Sequence, residues 1–177
     1  FQERDLIKGD FNNYGIEVRL LNNYKIKNKD ATWVIGTKYY NSNTSSIQGP
    51  GSNGSDADFE LRTTEFPFYN FQSNYIYPNK NFALFAENIF YINQKLSLTP
   101  GIRHEYIKTE SQGSYKKTNR DAAGNVIFDE TIDNNEVRKR NFILLGLGAS
   151  YKLINGQEFY LNVSENYRSV TFADISI

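Results

Sequence analysis

The chain has 177 residues, and its 20 basic and 20 acidic side chains give a formal net charge of zero. This balance argues against binding to nucleic acid, which requires a basic face. The absence of Cys excludes a disulfide scaffold, a cysteine zinc site and a thiol nucleophile. Tyr and Phe number 13 each, although hydrophobic residues make up only 39% of the chain. This composition favours a wall with one apolar face and one wet face.

The first third of the chain contains two predicted strands and a long irregular region. Period-2 alternation predicts strands at residues 10–27 and 31–41, joined by a tight turn at 28–30. Residues 42–79 follow as an irregular segment that begins rich in Ser, Gly and Asn and ends rich in aromatic residues. In the first strand the alternation separates an apolar face from a polar one. The apolar face has Tyr14, Ile16, Val18 and Leu20, and the polar face has Gly15, Glu17 and Arg19.

The remainder of the chain repeats this arrangement. Strands are predicted at 80–92 and 95–110 around a turn at 93–94, and a polar loop at 111–135 follows them. The last pair of predicted strands covers 136–153 and 157–168, and it is joined at Asn155-Gly156, the strongest hairpin signal in the chain. In the fifth strand Ile143, Leu145 and Leu147 alternate with Leu144, Gly146 and Gly148.

Turns and loops alternate in length along the chain. Tight turns at 28–30, 93–94 and 154–156 alternate with long connections at 42–79 and 111–135. Membrane barrels have short turns on one side and long loops on the other, and their strands place apolar residues toward lipid and polar residues inside. Aromatic residues near the predicted strand ends, among them Tyr14, Tyr39 and Tyr106, would form an interfacial girdle. A half-exposed antiparallel sheet of a soluble protein has the same periodicity, so the pattern alone leaves both readings open.

Several segments resemble TonB-dependent outer-membrane receptors. The hairpin formed by residues 81–88, the turn at 93–94 and residues 96–106 is similar to a hairpin that these receptors share. Residues 13–20 and 167–174 resemble two further segments of the family, and residues 48–59 resemble a loop of the ferric dicitrate receptor branch.

The resemblance implies an all-β fold of antiparallel up-and-down strands that form part of a 22-stranded transmembrane barrel in the bacterial outer membrane. Residues 1–177 would be one partial barrel domain of about six strands, without the plug. The chain has no Met, begins at Phe1 and stops at Ile177 inside a predicted strand, so we expect a fragment. The implied partners are a ferric chelate, TonB and a plug domain outside this segment, outer-membrane lipid and lipopolysaccharide.

The implied function is energised uptake of a ferric chelate of the citrate or siderophore type. The alternatives are a passive porin or adhesin barrel, or uptake of haem, cobalamin or a glycan. Uptake requires reversible capture rather than catalysis, so we expect no enzyme activity, no cofactor and no metal site. A barrel enzyme would pair His with Ser or Asp, whereas the alternation places the single His, His104, on the lipid side.

An anionic ferric chelate would be held by Arg and Lys, with Tyr and Gln as hydrogen-bonding partners, because the Arg guanidinium matches a carboxylate bidentately. We expect these side chains in the long loops and their flanks. The predicted ligand-binding residues are Gln48, Arg62, Tyr69, Tyr75, Arg120, Arg138 and Arg168, with Tyr77, Lys116, Lys117 and Arg140 as further candidates. Charged residues on the polar strand face, such as Glu17, Arg19, Arg103 and Glu105, are expected to form a network inside the barrel.

Overall fold

The computed structural model describes residues 2–55 and 57–167, and the elements found there are strands. The predicted all-β class is confirmed. Within this part of the chain, no helix is long and apolar enough to cross a membrane. The strands are β1 (Asp5–Ile26), β2 (Lys29–Pro50), β3 (Ser73–Tyr91), β4 (Leu96–Arg120), β5 (Val126–Asp133), β6 (Glu136–Lys152) and β7 (Glu158–Ser164).

All seven strands belong to one antiparallel sheet. Its order is β1-β2-β3-β4-β6-β7, and β5 pairs with β4 beside this path. Each strand along the path therefore lies next to its neighbour in sequence, apart from the β5 insertion, as an up-and-down arrangement requires. In the last pair, Leu147 opposes Val163 and Ala149 opposes Leu161, so apolar side chains form rows across the two strands.

The tight turns form for local reasons. Asn155 and Gly156 both have positive φ, at 80° and 77°, as the primed hairpin turns require. The first turn lies one position earlier than predicted, because Lys27 and Asn28 adopt φ values of 47° and 66°. In the second turn, the Asn93 side chain accepts hydrogen bonds from the backbone amides of residues 95 and 96, each at 2.8 Å.

The predicted loops are shorter in the structure than in the sequence interpretation. β2 continues to Pro50 and β3 begins at Ser73, so the connection predicted at 42–79 is reduced to residues 51–72. β4 likewise continues to Arg120, and the predicted loop at 111–135 contains β5, a strand that the sequence interpretation missed. β5 pairs with β4 from Ser114↔Asp133 to Arg120↔Val126.

The chain divides into two compact units. The turn-bearing unit consists of Tyr14–Tyr40, Lys80–Lys108 and Lys139–Ile177, and it includes the three tight turns. The loop-bearing unit consists of Phe1–Asn13, Asn41–Asn79 and Thr109–Arg138, and it includes the long loop at 51–72. In the turn-bearing unit, strand stretches β1 to β4 and β6 are each about 12 to 14 residues long, slightly more than the 9–11 that cross a bilayer.

The turn-bearing unit exposes its apolar side chains. Leu145, Leu147 and Leu161 are exposed to 55%, 52% and 65% of their surfaces. Among the described residues, the buried hydrophobic side chains are Ala31, Tyr75, Tyr77, Ala83 and Ile107. A water-soluble sheet would bury such a face, whereas a membrane barrel turns it toward hydrocarbon. The predicted facing of these strands therefore agrees with the structure.

The placement of the aromatic girdle needs correction. Tyr14, Tyr39 and Tyr106 were expected near strand ends, but all three lie well inside strands that extend further than predicted. Tyr14 and Tyr39 contact each other with ring centroids 6.4 Å apart. Each of the three lies close to a limit of the turn-bearing unit, so they mark the end of the membrane-length stretch rather than the end of a strand.

Candidate functional site

The polar face of the turn-bearing unit carries an ordered cluster centred on Phe85. The guanidinium carbons of Arg19 and Arg103 lie 5.6 and 5.5 Å from the centroid of its ring. Glu17 and Glu105 each accept a hydrogen bond from the neighbouring arginine at 2.5 Å. These four charged residues were predicted to form a network inside the barrel, and they pair with one another in the described part of the chain.

Gly36 creates the space for Phe85. A Cβ atom at position 36 would come within 2.7 Å of Cε2 of the Phe85 ring, so a larger residue would displace that ring. The sequence alternation placed Gly36 on the polar face but gave no sign that an aromatic ring would cover it. The cluster shows that the wet face is built from stacked and paired side chains.

In the loop-bearing unit, the long loop is fastened to β4 by two cations. Lys116 donates a hydrogen bond to the Pro67 carbonyl oxygen, and its ammonium lies 5.5 Å from the centroid of the Phe68 ring. Arg120 donates to the Phe68 carbonyl oxygen at 3.4 Å. The backbone amide of Lys116 also donates to the Gln72 carbonyl oxygen at 2.8 Å. The loop is therefore held against the strand rather than extended into solvent.

Asp5, at the start of β1, accepts hydrogen bonds from two of the predicted binding residues. The side-chain amide of Gln48 donates to Asp5 Oδ2 at 2.7 Å. The Tyr69 hydroxyl donates to the same carboxylate, and burial together with the charge of Asp5 raises the pKa of Tyr69 to about 12. Tyr69 therefore stays a neutral hydrogen-bond donor at physiological pH. Nothing in the sequence signalled Asp5, because it lies 43 residues from Gln48.

Arg62 is held by two carboxylates of the long loop. Its guanidinium nitrogens lie 2.7 Å from Asp58 Oδ2 and 3.4 Å from Glu65 Oε2. The hydrogen bond from Arg62 lowers the pKa of Asp58, and the same pairing raises the pKa of Arg62. Arg4 donates to Ser52 Oγ at 2.7 Å and to the Asp58 carbonyl oxygen at 2.9 Å. These contacts anchor the first half of the loop.

The remaining candidates occupy different surroundings. Tyr75 is buried, 8% exposed, and stacks on Tyr77 with ring centroids 5.8 Å apart. Arg138 pairs with Glu136 at 2.6 Å. Arg120 also donates to the Gly124 carbonyl oxygen at 3.0 Å. The last candidate, Arg168, lies outside the described residues.

A cleft of about 240 Å³, with a mixed polar and apolar lining, lies in the loop-bearing unit. Gln48, Gln72, Asn74 and Lys116 are among the residues that line it. The charge of Lys116 is already matched by Asp129, whose carboxylate oxygen lies 3.1 Å from the Lys116 ammonium. The cleft is therefore lined by neutral hydrogen-bonding groups, by apolar surface that includes Ile47, and by one cation that is already paired.

Across residues 2–55 and 57–167, no group of three or more His, Asp or Glu side chains is placed to hold a metal ion. His104 contacts Asn141, with its Nε2 atom 2.5 Å from the amide oxygen. This pair offers no acidic or nucleophilic partner to the imidazole.

The turn-bearing unit is built as a segment of a transmembrane β-barrel wall. It has an exposed apolar face, a polar face of paired charges and strands of bilayer length. Residues 2–177 match the family model described as TonB dependent receptor-like, beta-barrel, and the chain belongs to this family. No curated protein and no solved structure matched the chain. Members of the family are receptors of the bacterial outer membrane that transport ligands with the help of TonB, and they are not enzymes.

Proposed function

We propose that this chain forms part of the barrel of a receptor that imports a ferric chelate of the citrate or siderophore type. The single observation that carries the transport function is the match to the receptor barrel family over residues 2–177. The choice of a ferric chelate is supported by the resemblance of residues 48–59 to a loop of the ferric dicitrate receptor branch. Energy would come from TonB, acting through a plug domain outside this segment.

We place the capture surface on the loop-bearing unit. The six described candidates, Gln48, Arg62, Tyr69, Tyr75, Arg120 and Arg138, all fall within its ranges. Gln48 and Tyr69 share the carboxylate of Asp5, so the long loop and the strand end would respond together to a ligand. Arg168 stays a candidate on the grounds of its sequence position.

Growth of a receptor-deletion strain on defined iron sources tests the proposal. The strain carrying the full-length receptor should grow on ferric chelates at limiting iron, and growth should stop when TonB is deleted. Growth that persists without TonB would indicate a passive porin. Rescue by haem, cobalamin or a glycan, with no ferric chelate used, would contradict the proposed ligand class.

The residue assignments are tested by binding of radiolabelled ferric chelate to outer membranes. Gln48→Ala and Tyr69→Phe should each weaken binding about two- to thirteenfold, the loss expected for one hydrogen bond worth about 0.5–1.5 kcal/mol. Ser150→Ala, in the turn-bearing unit, is the control and should bind as the wild type does. Equal binding by all the variants would remove Gln48 and Tyr69 from the capture surface.

A further inference from the structure

The two units carry opposite net charge although the whole chain is neutral. Counted along the sequence, the ranges of the loop-bearing unit contain thirteen acidic and seven basic residues, a formal balance of −6. The ranges of the turn-bearing unit contain seven acidic and thirteen basic residues, a balance of +6. The neutrality that the composition reports is therefore a cancellation between two strongly charged parts.

The cations of the loop-bearing unit are largely engaged. Arg62, Lys116 and Arg138 each pair with a carboxylate of the same unit. Arg120 donates to backbone carbonyl oxygens, and Arg4 donates to Ser52 and to a backbone carbonyl oxygen. Even if every one of the seven cations neutralised one carboxylate, six negative charges would remain.

Exposed aromatic rings accompany this negative charge. In the long loop, Phe59, Phe68 and Phe71 are exposed to 67%, 45% and 63%. Such rings can contact the hydrocarbon arms of a ligand, and their faces attract an ammonium group. Together with the neutral lining of the 240 Å³ cleft, they offer apolar contact and uncharged hydrogen bonds.

We infer that the loop-bearing unit selects ferric chelates that are neutral or positively charged, as hydroxamate complexes are, and disfavours anionic ones such as ferric citrate. A hydroxamate group bears a single negative charge, so hydroxamates that saturate ferric ion give a neutral complex, and a pendant ammonium makes it cationic. A surface with an excess of carboxylates attracts such a complex and repels a polycarboxylate complex. This inference rests on the proposed uptake of a ferric chelate, and of the two proposed types it favours the siderophore over the citrate type that the resemblance of residues 48–59 implies.

The test uses the full-length receptor in outer membranes and one linear trihydroxamate in three forms. Its ferric complex carries a terminal ammonium, the same amine acetylated, or the same amine succinylated, so that the complexes are cationic, neutral and anionic. At an ionic strength of about 0.01 M, where the Debye length is about 30 Å, the cationic complex should associate at least about threefold faster than the anionic one. This difference should disappear at about 1 M salt.

Charge variants test whether the loop-bearing unit causes the difference in association rate between the cationic and anionic complexes. Glu60 and Asp133 are exposed, and they take part in no ion pair among the described residues. The double variant Glu60→Gln/Asp133→Asn should reduce the difference between the cationic and anionic complexes. Asp30→Asn/Glu158→Gln changes the charge of the turn-bearing unit by the same amount and should leave the difference unchanged.

The outcomes separate the two proposals. Faster association of the succinylated complex or of ferric citrate would overturn the charge selectivity while leaving ferric-chelate uptake intact. An equal rate for all three complexes at low salt would do the same. If no ferric chelate of any charge binds, the proposed function itself fails.

Discussion

At the scale of single residues, Gly113 of β4 lies against the backbone of the neighbouring strand β3. A Cβ atom there would lie 2.7 Å from Tyr75 Cα and would overlap the Asn74 carbonyl oxygen. Because these are backbone atoms, they cannot move as a flexible side chain can. We therefore expect Gly113→Ala to destabilise the loop-bearing unit by about 1–3 kcal/mol, the usual cost of overpacking.

Limited proteolysis of the long loop measures this effect, since cleavage follows the population of opened states. Gly146→Ala is the matched control, because its added Cβ would meet the Ser164 Cβ at an ordinary 3.7 Å. Equal cleavage rates for the wild type and the Gly113→Ala variant would show that β3 and β4 can separate at this point without cost.

The ion pair between Asp58 and Arg62 makes the long loop sensitive to acid. The hydrogen bond from Arg62 lowers the pKa of Asp58 below its ordinary value of 3.8. Because the pKa is lower in the folded loop, the stabilisation is fully present above pH 3.8 and is lost as the pH falls through the folded pKa. Cleavage of the loop by a protease that is active in acid should therefore increase below this pH.

The loop of the Asp58→Asn variant should be cleaved faster than the wild-type loop at neutral pH, and its cleavage should lose this part of the pH dependence. A wild-type loop that is equally resistant at both pH values would contradict the role of the pair.

At the scale of the strands, the facing of β6 gives a sharp prediction. Leu145 and Leu147 lie on the exposed apolar face, whereas Leu144 is half-buried and points to the opposite face in the alternation of β6. A cation on the lipid face at mid-bilayer costs about 2–4 kcal/mol. Leu145→Arg and Leu147→Arg should therefore block barrel assembly, measured as loss of heat-modifiable migration on gels.

Leu144→Arg is the control, because it places the same charge on the wet face, and this variant should assemble. Normal assembly of the two lipid-face variants would show that this face does not meet hydrocarbon.

The strands also show which parts of the sheet could be predicted from sequence periodicity. Alternation predicted the membrane-length stretches well, because one face meets lipid and the other meets water, as in β6. It failed at the end of β2, where residues 42–48 (Ser-Asn-Thr-Ser-Ser-Ile-Gln) form a strand with little apolar alternation. It failed again at β5, in which most positions are exposed. The end of β2 buries Ser42 and Thr44, which are small polar residues that an apolar period does not mark. In β5 both faces are wetted, so the strand has no need of an apolar period and its sequence resembles that of a loop.

At the scale of the whole molecule, the candidate site was predictable in composition but not in its contacts. The residue types and their location in the loop-bearing ranges followed from loop length and from the resemblance. The partners did not follow, because Asp5 and Tyr69, or Lys116 and Pro67, are brought together by strand pairing over long sequence separations. The opposite charges of the two units were also hidden, since they are visible only when the chain is divided as the fold divides it.

This division predicts that assembly and capture can be separated. The turn-bearing unit contains the strand stretches of bilayer length, so its insertion should not depend on the tip of the long loop. We expect that replacing residues 53–66 with a short Gly-Ser linker leaves heat-modifiable migration unchanged and weakens binding of ferric chelate at least about tenfold, because about 1.4 kcal/mol of contacts would be lost. The linker keeps Ser52, the partner of Arg4, and Pro67, the partner of Lys116.

Replacing residues 122–124 at the tip of the β4–β5 hairpin with Gly-Ser is the control, and this variant should both assemble and bind. A loop variant that fails to assemble would show that the long loop contributes to barrel folding. A loop variant that assembles and binds as the wild type does would move the capture surface away from residues 53–66. The predicted result, assembly without capture, requires that the membrane-length strands fold on their own contacts and that the ligand meets the loop.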